Sequence, residues 1–428
     1  MSEDARRNGR STSMAQREKA IRDLIVQNPV PLEKLRALAL APGDGFCNNA
    51  LRSVIWPKLL GLNRFESQPS FHDQVARNQW SDQIGRDVAR SLWHYHMPHA
   101  KKRKRGSRRR LLAKMINALM SKHPTLHYYQ GFHDVLSVLV LVMTEDDDLC
   151  FAVAERVALY YLGDYTRRPD FSVLTPLLEL LLPLVEAADG DVGACLRACG
   201  IHAYVCLPWV IAWWAHDCHN LEITARLFDA FLSGPPLFPL YLAAAMILEA
   251  KTELFALEDK DFSAVHSFLS RLASRPDLPV ETLIARAHRL LLSLPPAKLV
   301  RLHGHPFLRD LARKKEVHAL NFPHVEWYKK EAPPDWLLRE DRRREEGRSV
   351  RCKHTRQRRR QAYLAGVQMP SAAGVVGNEK KGALWSSASS PPSSTSLWVA
   401  AAAVVGVAAV LFKLGEGDLM ELWYNRMS

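Results

Sequence analysis

Two short polar stretches of the sequence combine residue types and spacings that could do chemistry. In IGRDVAR, Asp87 and Arg90 are three residues apart, so they share one face of a helix and the carboxylate can hold the guanidinium in one rotamer. In YYQG, the amide of Gln130 precedes Gly131, a residue that lets a partner approach the backbone closely. Taken singly, each stretch also fits a plainer interpretation, an ordinary surface ion pair and a simple helix start.

Local signatures of the common catalytic folds are absent from the sequence. It has no P-loop, G-x-G-x-x-G, H-E-x-x-H or G-x-S-x-G motif, so kinase, Rossmann, zincin and hydrolase interpretations have no starting point. Six histidines fall near the two stretches, at His94, His96, His99, His123, His127 and His133. Because they lack a partnered set of Cys or Glu and two prolines interrupt the helices between them, core or surface histidines are favoured over a metal site.

The hydrophobic pattern predicts an all-α fold. Of the 428 residues, 47% are hydrophobic, which is enough for a large core. Apolar residues recur every three or four positions in most segments, and no run alternates with the period of a strand. Ile84, Val88 and Leu92 form the apolar stripe of the helix that carries IGRDVAR, and residues 132–143 predict a central buried helix. We therefore predict one multi-helix domain over residues 16–310.

Charge and polarity are distributed unevenly along the chain. The formal net charge is +13, and much of it lies in the basic run KKRKRGSRRR, from Lys101 to Arg110, and in residues 342–360. Such clusters suit an anionic surface such as a membrane leaflet or an RNA, and a solvated loop and tail fit them equally well. We predict that the basic run is a loop with a possible anionic-lipid contact. Residues 1–15 are polar and predict a disordered N-terminus.

The C-terminal part predicts a tether and a tail anchor. Residues 311–396 are charged and then rich in Ser and Pro, which is typical of a flexible linker. Residues 397–414 form an apolar segment that as a helix would span about 27 Å, close to a thin bilayer such as that of the endoplasmic reticulum. A buried Ala/Val helix is the alternative. Upstream positive charge favours a cytosolic N-terminal bulk, with residues 415–428 as a short tail.

The order and separation of these motifs resemble those of the TBC domain of Rab GTPase-activating proteins. IGRDVAR reproduces I-x-x-D-x-x-R with Ile84 as its first residue, and YYQG reproduces Y-x-Q-G. Arg52, Trp56 and Gly61 resemble the opening R-x-x-x-W-x-x-L-L-G of the family. RLFDAFL, which begins at Arg226, resembles its R-L-W-D segment with phenylalanine where tryptophan is usual. The resemblance covers residues 45 to 300.

The resemblance implies an activator that completes the catalytic site of another protein. Arg90 would be an arginine finger inserted in trans, and Gln130 would orient the attacking water. Asp87 would support Arg90, while Tyr128 and Asp134 would shape the Gln130 turn, with Gly131 and Ile84 as further supporting residues. GTP and Mg²⁺ would be carried by the partner GTPase, so the chain would need no cofactor and would not itself be an enzyme.

The apolar tail and His133, in place of the customary Asn, are similar to a membrane-anchored branch of the family. That branch is associated with the endoplasmic reticulum and Rab-one-like GTPases, which implies a role in vesicle traffic to the Golgi. Two alternatives stay open. A noncatalytic membrane-tethered adaptor would use the same surface to bind a GTPase, and a basic nucleic-acid binder would use the basic run, although no RNA module accompanies it. Because no such module is present, a nucleic-acid partner is not the expected one.

Overall fold

The computed structural model describes residues 3–62, 70–92, 95, 99–168 and 171–314, with side chains over the same ranges except 3–13 and 99–104. No strand occurs among these residues, so the prediction of an all-α domain is confirmed for the part of the chain that is described. All of them belong to one compact unit.

The first ten helices are α1 (Glu3–Ile25), α2 (Leu32–Leu40), α3 (Asn49–Leu59), α4 (Ser81–Arg90), α5 (His99–Lys122), α6 (Phe132–Val142), α7 (Asp147–Arg156), α8 (Gly163–Thr166), α9 (Leu174–Leu178) and α10 (Leu181–Ala188). The next nine are α11 (Gly190–Ala198), α12 (Leu207–Ala212), α13 (Leu221–Ser233), α14 (Phe238–Glu249), α15 (Lys251–Phe255), α16 (Phe262–Ser270), α17 (Val280–Ser293), α18 (Pro296–His303) and α19 (Pro306–Arg313). Short 3-10 turns lie at His72–Gln74, Ala203–Cys206 and Leu272–Ser274, and a π turn lies at Val157–Tyr161.

The core is built around two helices that are buried along nearly their whole length. α6 packs against α3, α5, α7, α12 and α13, which confirms the prediction of a central buried helix over 132–143. α14 packs against α10, α12 and α17. Because neither helix has an exposed polar face, each must be enclosed by other helices, and this arrangement fixes the positions of the shorter elements around them.

The residues of the opening motif and of RLFDAFL bind one another inside the core. The buried carboxylate of Asp229 on α13 accepts hydrogen bonds from Arg52 Nε at 3.2 Å and Trp56 Nε1 at 2.9 Å, both on α3, and from the backbone N–H of Phe46 at 3.1 Å. The ring of Trp56 also lies 6.0 Å from that of Phe228 between centroids. These motif residues therefore join α3 to α13 and serve the fold.

The prediction of a loop over the basic run is wrong, because residues 99–122 form the single helix α5. Lys and Arg are good helix formers, and one glycine, Gly106, costs a helix only about 1 kcal/mol. Helical residues also extend an existing helix without needing an apolar stripe, since each adds a backbone hydrogen bond. Extension by backbone hydrogen bonds also accounts for the start of α1 at Glu3, although the polar residues 1–15 predict a disordered N-terminus.

No single helix of the described residues is long and apolar enough to cross a membrane. Two consecutive helical pieces, Gly190–Ala198 and Ala203–Ala212, are together long and apolar enough to span a membrane, but a bend of 105° separates them. The predicted linker over residues 311–396 lies outside the described residues beyond residue 314, as do the tail anchor at 397–414 and the tail at 415–428.

Candidate functional site

The two polar stretches meet where α4, α5 and α6 pack together. α4 contacts both α5 and α6, and YYQG lies in the connection between these two helices. Ile84 and Val88 bury the apolar stripe of α4 in the core, which turns Arg90 at the end of the helix toward solvent. Asp87 lies beside this buried stripe, whereas the longer side chain of Arg90, on the last residue of the helix, reaches solvent.

Arg90 is exposed, but its guanidinium is bound by a buried carboxylate. Its side chain keeps 61% of its surface accessible, and Nη2 donates a hydrogen bond of 2.5 Å to Oδ1 of Asp87. The Asp87 side chain is only 5% exposed. A buried carboxylate has little freedom to move, so the charge-assisted bond restricts the rotamers of the exposed guanidinium.

The other carboxylate oxygen of Asp87 binds the YYQG stretch. Tyr128 donates from its hydroxyl to Asp87 Oδ2 at 2.9 Å, and the same hydroxyl lies 3.1 Å from His133 Nδ1. Burial, followed by the charge of Asp87, raises the pKa of Tyr128, so the hydroxyl keeps its proton and remains a donor. Asp87 therefore links Arg90 directly to the residue two positions before Gln130.

Gln130 is exposed on a turn that needs glycine. Gly131 has φ of +107° and precedes α6. A Cβ atom there would lie 3.6 Å from Ile211 Cγ1 and 3.7 Å from Ala212 Cβ on α12. Tyr129 fixes the other side of the turn, since its hydroxyl donates to the carbonyl of Ile211 at 3.0 Å. The turn thus rests on α12 and projects the Gln130 amide outward.

A second cluster of polar groups lies behind this turn. Asp134 is buried in the first turn of α6, with Oδ1 at 3.4 Å from His133 Nε2 and Oδ2 at 3.1 Å from His216 Nδ1. The bond to Asp134 raises the pKa of His216 to about 9, while burial lowers the pKa of His133. Burial also raises the pKa of Asp217 to about 6. His216 is therefore cationic at neutral pH and His133 neutral.

The structure brings Arg90, Asp87 and Tyr128 together through hydrogen bonds to the Asp87 carboxylate, and it places Gln130 and Gly131 on the adjoining turn. Ile84 is wholly buried, so its contribution is to the packing of α4. Sequence analysis missed His216, which is 82 residues from its partner Asp134 and stands in no recognisable motif. Within the described ranges, no group of three or more His, Cys, Asp or Glu side chains could hold a metal ion.

Comparison with known proteins decides what kind of domain holds this site. Residues 49–255 match the family model described as the Rab-GTPase-TBC domain. The chain carries a Rab-GTPase-TBC domain. The TBC resemblance drawn from the sequence motifs is thereby confirmed, and the matched residues include α4, the YYQG turn and α6.

Relatives and solved structures agree with this assignment. TBC1 domain family member 20 of Mus musculus is 29% identical over 339 residues, which cover 78% of this chain and 80% of the relative. The GTPase-activating protein gyp10 of Schizosaccharomyces pombe is 30% identical over 241 residues, covering 54% of this chain and 61% of the relative. The chain is thus homologous to TBC-domain proteins over most of its length.

Two solved structures share the fold. The Ypt/Rab-GAP domain of Gyp1p superposes with a TM-score of 0.53 at 16% identity, covering 65% of this chain and 99% of that domain. The flagellar RabGAP TBC domain of Chlamydomonas superposes with a TM-score of 0.50 at 12% identity, covering 67% of this chain and 94% of that domain. At these identities the comparison establishes the all-helical TBC fold alone.

Proposed function

We propose that this chain accelerates GTP hydrolysis by a Rab-family GTPase and supplies Arg90 and Gln130 to the reaction in trans. The observation that carries the proposal is the bonding of Asp87, whose two oxygens hold the exposed Arg90 guanidinium and the tyrosine of the Gln130 turn. The finger arginine and the turn that bears the amide therefore have a common buried support, and a partner that docks on this face meets both groups.

The chemistry follows from the charge that develops during phosphoryl transfer. A small GTPase hydrolyses GTP slowly because little neutralises this charge, and an arginine in trans can raise the rate by about 10³ to 10⁵. Arg90 supplies the guanidinium, pre-oriented by Asp87 so that less conformational freedom is lost on docking. Gln130 orients the attacking water through its amide. GTP and Mg²⁺ belong to the partner, and this chain acts as the activator.

The supporting residues divide the work of holding the two groups. Asp87 restrains Arg90 and binds Tyr128, which lies two residues before Gln130. Gly131 gives the turn its left-handed backbone, and Asp134 binds its neighbour His133 and joins the first turn of α6 to His216. Displacements of about 1 Å can cost a reaction about 100-fold, so these contacts matter even though none would touch the nucleotide.

A single-turnover assay tests this function against the adaptor alternative. The full chain in detergent is added to a panel of GTP-loaded Rab GTPases, and GTP hydrolysis is followed alongside binding. We expect acceleration of at least one Rab, and a loss of about 100-fold or more in Gln130→Ala with binding retained. Arg301→Lys on α18 serves as a surface control with full activity. Binding by the unmodified chain without acceleration of any Rab would favour a noncatalytic adaptor.

The preferred substrate and the location are further parts of the proposal. We infer a Rab-one-like substrate and a tail-anchored position at the endoplasmic reticulum or an early secretory membrane, with a role in traffic to the Golgi. Homology to TBC1 domain family member 20 and the apolar residues 397–414 support this. Tethering beside a membrane-bound substrate would raise its effective concentration. A fluorescent fusion should show a reticular pattern that disappears when residues 397–414 are deleted, and nuclear accumulation of the intact chain would contradict it.

A further inference from the structure

The basic run has a specific contact with the finger helix. Arg109 on α5 donates two hydrogen bonds to a single acceptor, the backbone carbonyl of Ser91, from Nε at 2.9 Å and from Nη2 at 2.7 Å. Ser91 follows Arg90 directly and caps the C-terminal end of α4. A residue of the run that was predicted to be a solvated or lipid-binding loop thus binds the backbone beside the finger.

The end of α4 needs such a contact because its last carbonyls have no partners within the helix. The chain also leaves the helix abruptly there, since Ser91 is extended with ψ of 160° and the buried Leu92 has φ of +65°. A leucine in the left-handed region is strained, and surrounding contacts must hold it there. Two contacts restrain this turn. The guanidinium of Arg109 binds the carbonyl of Ser91, and Ser91 Oγ donates to the carbonyl of Asp87 at 3.0 Å.

We propose that Arg109 is a positioning residue for Arg90. Arg109 fixes the last residues of α4 and the turn that follows. The backbone of Arg90 therefore keeps one position, and its side chain projects in one direction. The inference rests on the proposed function, because it concerns how the finger is held during activation. A flexible helix end would let the guanidinium move relative to Gln130, and small displacements are costly at a reacting centre.

The neighbouring arginine provides a matched comparison. Arg108 is also half-buried, and it binds Asp147 at 3.3 Å and the carbonyl of Thr144 at 3.0 Å, at the start of α7. Removing either arginine lowers the charge of the basic run by one. Removing Arg109 also frees the turn after the finger, whereas removing Arg108 leaves the Arg109 contacts with Ser91 in place. A lipid-binding or electrostatic role of the run predicts equal effects, and a positioning role predicts unequal ones.

The test compares Arg109→Met with Arg108→Met in the full chain in detergent. The partner is the Rab that the unmodified chain accelerates most, and the GTP-hydrolysis assay yields kcat and KM. We expect Arg109→Met to lower kcat by about tenfold or more with little change in KM, because docking is retained while the finger is misplaced. Arg108→Met should stay within about twofold of the unmodified chain. Arg109→Lys keeps a cationic hydrogen-bond donor on a side chain of similar length, so it should recover part of the loss.

Non-additivity separates positioning from general damage to the fold. In an Arg90→Lys background the finger is already lost, so adding Arg109→Met should lower kcat no further. Unchanged kcat in Arg109→Met, a rise in KM alone, or an equally large further loss in the Arg90→Lys background would overturn the inference. If Arg109→Met fails to fold by circular dichroism, Arg109→Lys takes its place with the same double variant. Absence of acceleration by the unmodified chain would instead refute the proposed function.

Discussion

The buried carboxylate of Asp87 binds a surface guanidinium through one oxygen and a buried hydroxyl through the other. A single side chain therefore couples the orientation of Arg90 to the position of Tyr128. His216 makes a comparable bond to Asp134 behind the Gln130 turn, but it titrates in an accessible pH range. At the scale of single residues, this imidazole gives the site a testable pH dependence.

The His216 bond should stabilise the protein in acid more than in base. The pKa of His216 rises from its ordinary value near 6.5 to about 9 in the folded state, so folding favours the protonated form. Its contribution is fully present below about pH 6.5 and is lost as pH rises through about 9. Because the side chain is 53% exposed, solvent screens the bond and the effect is modest.

Urea denaturation of the unmodified chain and of His216→Gln from pH 6 to pH 10 measures this contribution. The glutamine cannot be protonated, so the difference in unfolding free energy between the two should be largest at pH 6 and shrink toward pH 10. A difference that is constant with pH would mean that the charge of His216 does not stabilise the fold.

At the scale of elements, α4 carries a glycine that neither packing nor backbone geometry requires. Gly85 is exposed, lies inside the helix, and has no atom within 4 Å of the place where a Cβ would stand. Gly131 differs, because its φ of +107° is unfavourable for any residue with a side chain. The two glycines flank the same site and should respond to substitution in opposite directions.

We expect Gly85→Ala to raise the free energy of unfolding by about 0.5–1 kcal/mol, since alanine loses less backbone entropy in a helix. Gly131→Ala should lower it by about 1–2 kcal/mol through backbone strain. Thermal and urea unfolding of the purified variants measure both changes. A destabilised Gly85→Ala variant would contradict the open space beside Gly85.

At the scale of the whole molecule, Asp229 ties distant parts of the chain together. It is fully buried and binds Arg52, which also binds the exposed Glu222 at 3.1 Å. Removing Asp229 leaves a buried guanidinium with a poorer set of partners, which typically costs about 3–5 kcal/mol. Removing Glu222, whose side chain is 66% exposed, deletes a partner of the same guanidinium at a cost of at most about 1 kcal/mol.

Denaturation of Asp229→Ala and Glu222→Ala should therefore give very different losses of unfolding free energy, although both remove a carboxylate from Arg52. Similar small losses in the two variants would show that the buried network contributes little to stability. The comparison matters for function because α3 and α13 both pack against α6, whose first turn holds Asp134.

The sequence predicted the parts of this molecule that depend on local periodicity. The apolar stripe of α4 and the buried length of α6 follow directly from residue spacing, as does the short separation of Asp87 and Arg90. The helical state of the basic run did not follow, because residues 101–110 lack the apolar stripe from which helices are recognised and are helical as an extension of the amphipathic second half of α5. The bonds of Tyr128 to Asp87 and of His216 to Asp134 could not be predicted either, since they join residues 41 and 82 positions apart through the packing of helices.

The replacement Arg90→Lys tests the central claim most directly. Lysine keeps the positive charge on a slightly shorter side chain but lacks the planar guanidinium that can bind two oxygens at once. In single-turnover hydrolysis with a GTP-loaded Rab that the unmodified chain accelerates, we expect acceleration by the lysine variant to fall by about 10³-fold while its unfolding curve is unchanged. Undiminished acceleration by a folded Arg90→Lys variant would contradict the account.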